Sequence, residues 1–173
     1  MKKNLVLLGM MAVGKTTLGK IVAKKQELEF IDTDINIEKK NSMTIKEIFK
    51  KKGEKFFRTE EEKEVLKSLE KNNCVIAIGG GAFINKTLRE NILNNAISIW
   101  LDIDIKILSK RTKWNQKRPL LKKENNQQKL KELYAERKNI YKIANHKITC
   151  DNLSKENIAI KIIALHEKYK NYR

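Results

Sequence analysis

The sequence predicts an α/β fold of three layers, α/β/α, in which helices cover both faces of a central five-stranded parallel sheet. Short apolar segments alternate along the chain with longer segments of helical periodicity, as they do when helices connect parallel strands. The apolar segments are too short for helices and end at glycine or polar residues, which is typical of buried strands. A length of 173 residues favours one domain, covering 1–173.

Five segments are predicted as strands: 5–8, 30–31, 75–78, 97–101 and 147–150. The first is followed by Gly9, the second by an Asp-Thr-Asp sequence and the third by three consecutive glycines. Ligands of parallel sheets bind at the carboxyl ends of the strands. We therefore expect these three segments to form one site.

Helical periodicity connects the strands. After the first strand, Leu18, Ile21, Val22 and Leu28 recur at helical spacing. Mostly helical stretches are predicted around 35–51 and 54–72, and helices near 85–94, at 105–111 and at about 127–145. A last helix is marked by Ile158, Ile162, Leu165 and Tyr169. Residues 112–126 are polar, contain the only proline and have no apolar period, which predicts an irregular segment.

The formal net charge of +17 has three possible interpretations. They are nucleic-acid binding, attraction of small anionic substrates and a lysine-rich solvated surface. The lysines are scattered among Glu, Asn and Ile residues and form neither a stripe nor a nucleic-acid-binding motif, which favours the solvated surface. We therefore expect no nucleic-acid partner.

The two cysteines, Cys74 and Cys150, lack the spacing of metal ligands or redox motifs and are interpreted as small buried residues near strands. Their small number fits a reducing compartment, and we expect the cytoplasm. The apolar segment near the N-terminus meets Lys15 with no cleavage site, and no apolar run approaches the length of a membrane span. We therefore expect no membrane partner.

The segment from Gly9 to Thr16 fits the pattern G-x-x-x-x-G-K-[ST] in full. It follows a predicted strand and opens a predicted helix, which is the context of a phosphate-binding loop. Its glycines let backbone N–H groups surround phosphate oxygens, Lys15 reaches the β- and γ-phosphates, and the Thr16 hydroxyl can bind Mg²⁺. The alternative is a glycine-containing turn without a ligand. The loop predicts a nucleotide but leaves the acceptor open, because GTPases, ATPases and small-molecule kinases share it.

Two carboxylates, Asp32 and Asp34, follow the second predicted strand. If both continue the strand geometry, their side chains point to opposite faces, so that one can serve a metal ion and the other an acceptor. The alternative is a helix cap or a turn, since aspartate suits both.

Two arginines lie on helix faces that are predicted to be buried. Arg58 lies beside the face that contains Phe57, and Arg137 lies in the apolar stripe of the predicted helix 127–145. An inward arginine needs a partner, which Glu61 supplies for Arg58 while other guanidinium donors remain for a ligand. The two arginines suit a carboxylate clamp. The alternative is a pair of structural ion pairs with apolar stems.

Several matches, in a fixed order, make the sequence resemble the shikimate kinase family over nearly its whole length. The loop alone is shared by many families, whereas the whole set in this order is specific. The matching segments are Gly9 to Thr17, Asp32-Thr33-Asp34, Gly53-Glu54 with Phe57-Arg58 and Glu61, Gly79-Gly80-Gly81, Arg111 with Arg118-Pro119-Leu120-Leu121, and Arg137 with Tyr141.

The resemblance implies a P-loop NTPase fold of the nucleoside-monophosphate-kinase type, with an acceptor-binding segment at about 33–61 and a mobile lid at about 112–124. It implies transfer of the γ-phosphate of ATP to the 3-hydroxyl of shikimate, with Mg²⁺ as cofactor, in the biosynthesis of chorismate and aromatic amino acids. ATP and shikimate are then the partners, and we expect a monomer.

The resemblance also implies a role for each matching residue. Nucleotide contacts are implied for Gly9, Ala12, Val13, Gly14, Lys15, Thr16, Thr17, Arg111, Arg118 and Asn152. Shikimate contacts are implied for Asp34, Arg58, Gly79, Gly80, Gly81 and Arg137. The implied catalytic residues are Lys15, Asp34 and Arg118, and the implied Mg²⁺ ligands are Thr16 and Asp32. Asp34 is the expected base, and Arg58 and Arg137 are expected to hold the carboxylate. Arg118 is expected to cover the transferring phosphate, while Arg111 and residues 149–154 border the adenine.

The sequence departs from the family pattern at two places. Ala12 stands where the family often has glycine, and if that position needs a positive φ, alanine costs about 1 kcal/mol. The lid segment is bulky and lacks glycine, which puts its flexibility in question.

Two other functions remain open. Another metabolite kinase, acting on gluconate or a nucleoside monophosphate, would share the loop, but the paired arginines and the glycine triplet argue against it. A basic P-loop protein that binds nucleic acid would show tight, salt-sensitive binding of DNA or RNA.

Overall fold

The computed structural model describes residues 4–113 and 126–171. Within these residues, strands and helices alternate along the chain. In order, the elements are β1 (Asn4–Leu8), α1 (Lys15–Gln26), β2 (Glu29–Asp32), α2 (Thr33–Asn41), α3 (Ile45–Glu70), β3 (Cys74–Ala77), a 3-10 helix (Ala82–Ile84), α4 (Lys86–Asn95), β4 (Ala96–Asp102), α5 (Ile105–Lys113), α6 (Asn126–Tyr141), β5 (His146–Thr149) and α7 (Lys155–Asn171).

The five strands form one parallel sheet in the order β2-β3-β1-β4-β5, which confirms the predicted fold class. β1 is the central strand, where Leu5 pairs with Val75 on β3 and with Ile97 on β4, and all three side chains are fully buried. The chain that leaves the carboxyl end of β1 therefore enters the crevice where ligands of such sheets bind.

The stretch around 35–51 is mostly helical, as predicted, but a break divides it between two helices. Ser42 adopts a left-handed φ of 50° and ends α2. Thr44 begins α3 with a capping box: its hydroxyl accepts a hydrogen bond from the Glu47 N–H, and its own N–H donates to the Glu47 carboxylate. The apolar pattern continues across the break because both helices contribute to one buried cluster.

The boundary between the predicted helices 35–51 and 54–72 is confirmed, whereas the predicted end of the helix 127–145 is not. Gly53, with φ 83° and ψ 169°, interrupts α3 between the two helices that the sequence predicts. The predicted helix 127–145 is too long, because α6 ends at Tyr141 and turns follow it.

A small hydrophobic cluster, separate from the main core, supports the residues around the helix break. Its buried members are Ile37, Ile45, Ile48 and Phe57, with Met43, Phe49 and Phe56 packed against them. All of them fall within 33–61, the expected acceptor-binding segment. The position of this segment therefore depends on packing of its own as well as on the sheet.

Cys74 and Cys150 are free thiols and buried, as the sequence predicts. Burial raises the pKa of the Cys150 thiol to about 11, so that this thiol stays protonated at neutral pH. Among residues 4–113 and 126–171, no helix is both long and apolar enough to cross a membrane.

Candidate active site

The loop between β1 and α1 forms the centre of the candidate site. Gly9 has a φ of 138°, and a Cβ there would lie 2.4 Å from the Leu101 carbonyl oxygen, so that only glycine fits. Gly14 has a φ of 106° and directly precedes α1. The N-terminus of α1 therefore faces the loop, where its N–H groups and its dipole favour a bound phosphate.

Lys15 is buried although it carries a charge. Its Nζ donates hydrogen bonds to the carbonyl oxygens of Gly9 and Met10, at 3.0 and 3.1 Å. These bonds hold the ammonium group at the loop. Phosphate oxygens are charged and would be stronger acceptors than these carbonyl groups.

Ala12 has a φ of 61°, so this position of the loop does need a left-handed backbone. We expect Ala12→Gly to raise the free energy of unfolding by about 1 kcal/mol, because glycine adopts this region without strain. Urea denaturation would measure the change. Ala135→Gly, at an exposed helical position, is the matched control and should lower stability by about 1 kcal/mol. Equal losses in both variants would contradict the prediction.

Asp32 caps a helix and also contacts the loop. Its Oδ1 accepts a hydrogen bond from the Ile35 N–H at 3.2 Å, and its Oδ2 accepts one from the Thr16 hydroxyl at 2.6 Å. The capping interpretation of Asp32 is therefore correct, and it leaves room for a ligand role. A carboxylate beside the hydroxyl that follows the loop lysine is an oxygen donor set that fits Mg²⁺. In the described part of the chain, no group of three or more His, Cys, Asp or Glu residues could hold a metal by itself.

The condition under which Asp32 and Asp34 would point to opposite faces, that both continue the strand, is not met. Asp34 lies in the first turn of α2, because the strand ends at Asp32. Both residues instead line one cleft beside the loop.

Two cavities meet at Asp34. The larger, which we call the loop cleft, has a volume of about 450 Å³ and is lined by Met11, Ala12, Gly14, Lys15, Thr16, Thr17, Asp32, Asp34, Ile35, Glu38, Ile45, Ala77, Ile78 and Arg111. The smaller, which we call the arginine pocket, has a volume of about 50 Å³ and is lined by Met11, Asp34, Ile45, Phe49, Phe57, Arg58, Glu61, Gly79, Gly80, Gly81 and Arg137. Met11, Asp34 and Ile45 border both cavities.

Arg58 is held in the arginine pocket by two carboxylates. Its Nη1 donates to Glu61 at 2.7 Å, which confirms the predicted pairing. Its Nε and Nη2 both donate to Oε1 of Glu54, at 3.2 and 3.0 Å. Glu54 is one of the residues that match the family pattern, but the sequence predicted no role for it. The i, i+4 spacing of Glu54 and Arg58 on one helix is the signal that points to this contact.

Glu61 is a buried carboxylate, with only 2% of its surface exposed. Burial raises the pKa of Glu61, the Arg58 guanidinium opposes this rise, and the Asp34 carboxylate adds to it. The pocket therefore combines two acidic groups, Asp34 and Glu61, with two cations, Arg58 and Arg137.

The glycine triplet allows these charged groups to approach one wall. A Cβ on Gly79 would lie 2.4 Å from Oε1 of Glu61 and 2.9 Å from Oδ1 of Asp34. A Cβ on Gly81 would lie 2.5 Å from Nη1 of Arg58. A larger residue at either position would therefore displace these charged groups, for reasons of space and not of a positive φ.

Arg137 is buried on α6, as predicted, with 8% of its surface exposed. Its Nη1 donates to the Gly80 carbonyl oxygen at 3.1 Å, and the Tyr141 hydroxyl donates to the same oxygen. The Tyr141 ring also packs on Trp100 of β4, with the ring centroids 5.9 Å apart. Tyr141, one turn from Arg137, thus ties this arginine and the glycine triplet to the sheet.

The remaining residues implied by the family resemblance are Arg111, Asn152 and Arg118. The Val13 carbonyl oxygen accepts a hydrogen bond from Nη1 of Arg111 at 3.4 Å, which places Arg111 at the edge of the loop cleft. Asn152 is exposed after β5 and lines neither cavity. Arg118, with most of the expected lid at 112–124, lies outside the described residues.

Sequence comparison identifies the family. The family described as shikimate kinase matches residues 11–167. The chain belongs to the shikimate kinase family. A shikimate kinase from Bartonella quintana is 41% identical over 168 residues, which cover 97% of this chain and 80% of the relative. One from a Sulfurihydrogenibium species is 38% identical over 161 residues, which cover 93% of this chain and 96% of the relative. Membership of this family makes the chain a phosphotransferase that acts on a hydroxyl group of shikimate.

Solved structures agree with this family assignment. A shikimate kinase from Acinetobacter baumannii in complex with shikimate has a TM-score of 0.93 and 35% identity, and the match covers 98% of this chain and 95% of that one. A gluconokinase from Sinorhizobium meliloti and a thymidylate kinase from Candida albicans have TM-scores of 0.61 and 0.62 at 12% and 16% identity. At this identity the two kinases show only that the fold is shared. They give no support to gluconate or a nucleoside monophosphate as the acceptor of this chain.

Proposed function

We propose that this protein transfers the γ-phosphate of ATP to the 3-hydroxyl of shikimate, with the loop cleft as the ATP site and the arginine pocket as the shikimate site. The observation that carries the proposal is that both cavities meet at Asp34. A carboxylate at this junction can accept the hydroxyl proton on one side while the phosphate arrives from the other.

On the nucleotide side, the loop amides and Lys15 bind the β- and γ-phosphates. Lys15 then stabilises the charge that develops during transfer. Arg111, at the rim of the cleft, and Asn152 are proposed to border the adenine, and Arg118 is proposed to close over the phosphate from the lid.

Thr16 and Asp32 would hold Mg²⁺ together with the nucleotide. Their oxygens are already adjacent, since the Thr16 hydroxyl donates to Asp32 at 2.6 Å. Bound there, Mg²⁺ supplies positive charge to the phosphate oxygens.

On the acceptor side, Arg58 and Arg137 bind the shikimate carboxylate. Arg58 is oriented by Glu54 and Glu61, and Arg137 by its contact with the Gly80 carbonyl group. A planar guanidinium binds a carboxylate through two parallel bonds and so fixes the direction of the ring as well as its position.

A coupled assay of ADP release tests the function directly. We expect turnover with ATP and shikimate, and little turnover with gluconate or nucleoside monophosphates. Equal or faster turnover with either of the other acceptors would contradict the proposal. Product analysis would then check that the 3-hydroxyl carries the phosphate.

Replacing Arg58 by lysine tests the carboxylate contact. The charge stays but the bidentate geometry is lost, so we expect a loss of about 1.5–3 kcal/mol in shikimate binding and little change in ATP affinity. The methyl ester of shikimate should bind the wild type much more weakly, and the Arg58→Lys change should matter much less for this ester. A double-mutant cycle of enzyme and substrate gives the coupling energy. Additive losses would show that Arg58 does not contact the carboxylate.

We also propose that the protein acts as a cytoplasmic monomer without a nucleic-acid partner. Both cysteines are free thiols, which fits a reducing compartment. Size-exclusion chromatography with light scattering would test the monomer. A salt titration of DNA and RNA binding would test the absence of a nucleic-acid partner, since counterion release makes such binding fall steeply with salt.

A further inference from the structure

The Arg58 guanidinium offers two edges that can hold a carboxylate through two parallel N–H bonds. One edge is formed by Nε and Nη2, and the other by Nη1 and Nη2. Glu54 occupies the first edge, because its Oε1 accepts from Nε at 3.2 Å and from Nη2 at 3.0 Å. Glu61 accepts from only one of the two N–H groups of Nη1. One N–H group on Nη1 and one on Nη2 are therefore left for a substrate carboxylate.

Glu54 reaches Arg58 from outside the arginine pocket. It is absent from the lining of that pocket and instead lines a third cavity of about 310 Å³, which also contains Arg58, Glu61 and Arg137. Its side chain is 58% exposed. Glu54 thus lies behind the guanidinium, where it can hold Arg58 without contacting an acceptor in the pocket.

The hydrogen bond to Glu61 reaches only one end of the Arg58 guanidinium group. The contact with Glu61 involves a single nitrogen, Nη1, and the Arg58 side chain is still 34% exposed. A single contact permits rotation about that bond, whereas the two further bonds to Glu54 define the plane. Glu54 begins the helical segment after Gly53, one turn before Arg58, so that the backbone fixes the relative positions of the two side chains.

We propose that Glu54 is a positioning residue that orients Arg58 so that its Nη1–Nη2 edge faces the acceptor carboxylate. The proposal rests on the proposed role of Arg58 in binding shikimate.

Glu54 has two opposing effects on the binding of the acceptor carboxylate. Its negative charge repels the acceptor carboxylate, but this charge is exposed and screened by salt. Its hydrogen bonds hold Arg58 in the orientation that binds the carboxylate, which lowers the entropy cost of binding. Salt does not screen this second effect, so we expect it to dominate.

Glu54→Ala and Glu54→Gln separate these two effects. Alanine removes the acceptor oxygen, and we expect KM for shikimate to rise about tenfold, the scale of one hydrogen bond to a charged group. Glutamine loses the charge but keeps an oxygen that accepts from Nε and Nη2, so it should restore KM to within about threefold of wild type. KM for ATP and the melting temperature should change little in both variants. Glu90→Ala is the matched control, because Glu90 is 59% exposed and also forms an i, i+4 pair, with Lys86, on α4.

The methyl ester of shikimate gives a second readout. If Glu54 acts through the carboxylate contact of Arg58, Glu54→Ala should weaken use of the acid but hardly that of the ester. An unchanged KM for shikimate would overturn the proposal and make Glu54 a surface ion pair. A lowered KM would also overturn it, since Glu54 would then compete with the carboxylate. If Glu54→Ala weakened the use of the acid and of the ester equally and also lowered the melting temperature, Glu54 would have a structural role instead.

Failure of the proposed function has a different signature. In that case the wild type would not phosphorylate shikimate, or Arg58→Lys would affect acid and ester equally. If Arg58 couples to the carboxylate and Glu54→Ala has no effect, only the positioning role is lost.

Discussion

Replacing Lys15 by alanine is expected to reduce kcat at least ~100-fold, with little change in the melting temperature. The ammonium group lies at the loop, where it contacts the carbonyl oxygens of Gly9 and Met10. During transfer, negative charge moves on the phosphate oxygens, and a fixed cation close to them stabilises the transition state more than the ground state. We expect folding to tolerate the change, because the positive φ angles of Gly9 and Gly14 and the contact of Gly9 with Leu101 of β4 do not involve the Lys15 side chain.

Lys20→Ala is the matched control for this experiment. Lys20 is exposed and lies on the same helix, α1, so its removal changes the net charge equally without touching the loop. Steady-state kinetics with both substrates near saturation, together with thermal denaturation, would measure the difference. Turnover of Lys15→Ala close to that of Lys20→Ala would contradict the assignment of the phosphate loop.

Much of the fold could be predicted because short buried strands and amphipathic helices leave different periodicities. The missed helix end at Ser42 shows where this reasoning fails. Ser42 adopts a left-handed φ although the residue is not glycine, and the apolar pattern continues through it. The stronger signal was the capping box, Thr44 followed three residues later by Glu47.

The part of the site that a contiguous sequence motif encodes could be predicted. The loop from Gly9 to Thr16 is such a part. Ala12 stands at a variable position of this motif, so the motif alone does not predict its positive φ. Contacts that join separate segments are harder to predict, because they depend on packing distances. The approach of Gly79 to Asp34 and Glu61, for example, joins the ends of two strands and the middle of α3. Family resemblance brought these residues together without giving their geometry.

The orientation of charged side chains was the least predictable feature. Sequence reasoning gave Arg58 one partner, Glu61, and left its other donors for a ligand. Glu54 takes two of those donors, because it lies one helical turn away on the same side of α3. Similarly, the Tyr141 hydroxyl shares an acceptor with Arg137, a contact that only the placement of α6 beside the glycine triplet creates.

Replacing Asp34 by asparagine is expected to reduce kcat about 100-fold or more, the usual contribution of a general base. Asparagine keeps the size of the side chain and its place at the junction of the two cavities, but it cannot accept the hydroxyl proton. The loss of a carboxylate in the first turn of α2 should cost little stability, about 0.3–1 kcal/mol. It also removes a negative charge close to Glu61, which offsets part of that cost.

Asp32→Asn is the informative comparison, because the two carboxylates lie two residues apart and line the same cleft. Asp32 contacts the Thr16 hydroxyl, so its replacement should raise the Mg²⁺ concentration needed for half-maximal activity, and added Mg²⁺ should restore much of the rate. Added Mg²⁺ should not rescue Asp34→Asn, since the missing function there is proton acceptance. Titration of kcat against Mg²⁺ for both variants distinguishes the two roles. Rescue of Asp34→Asn by Mg²⁺, or turnover close to wild type, would remove Asp34 as the base and leave it as a metal or binding ligand.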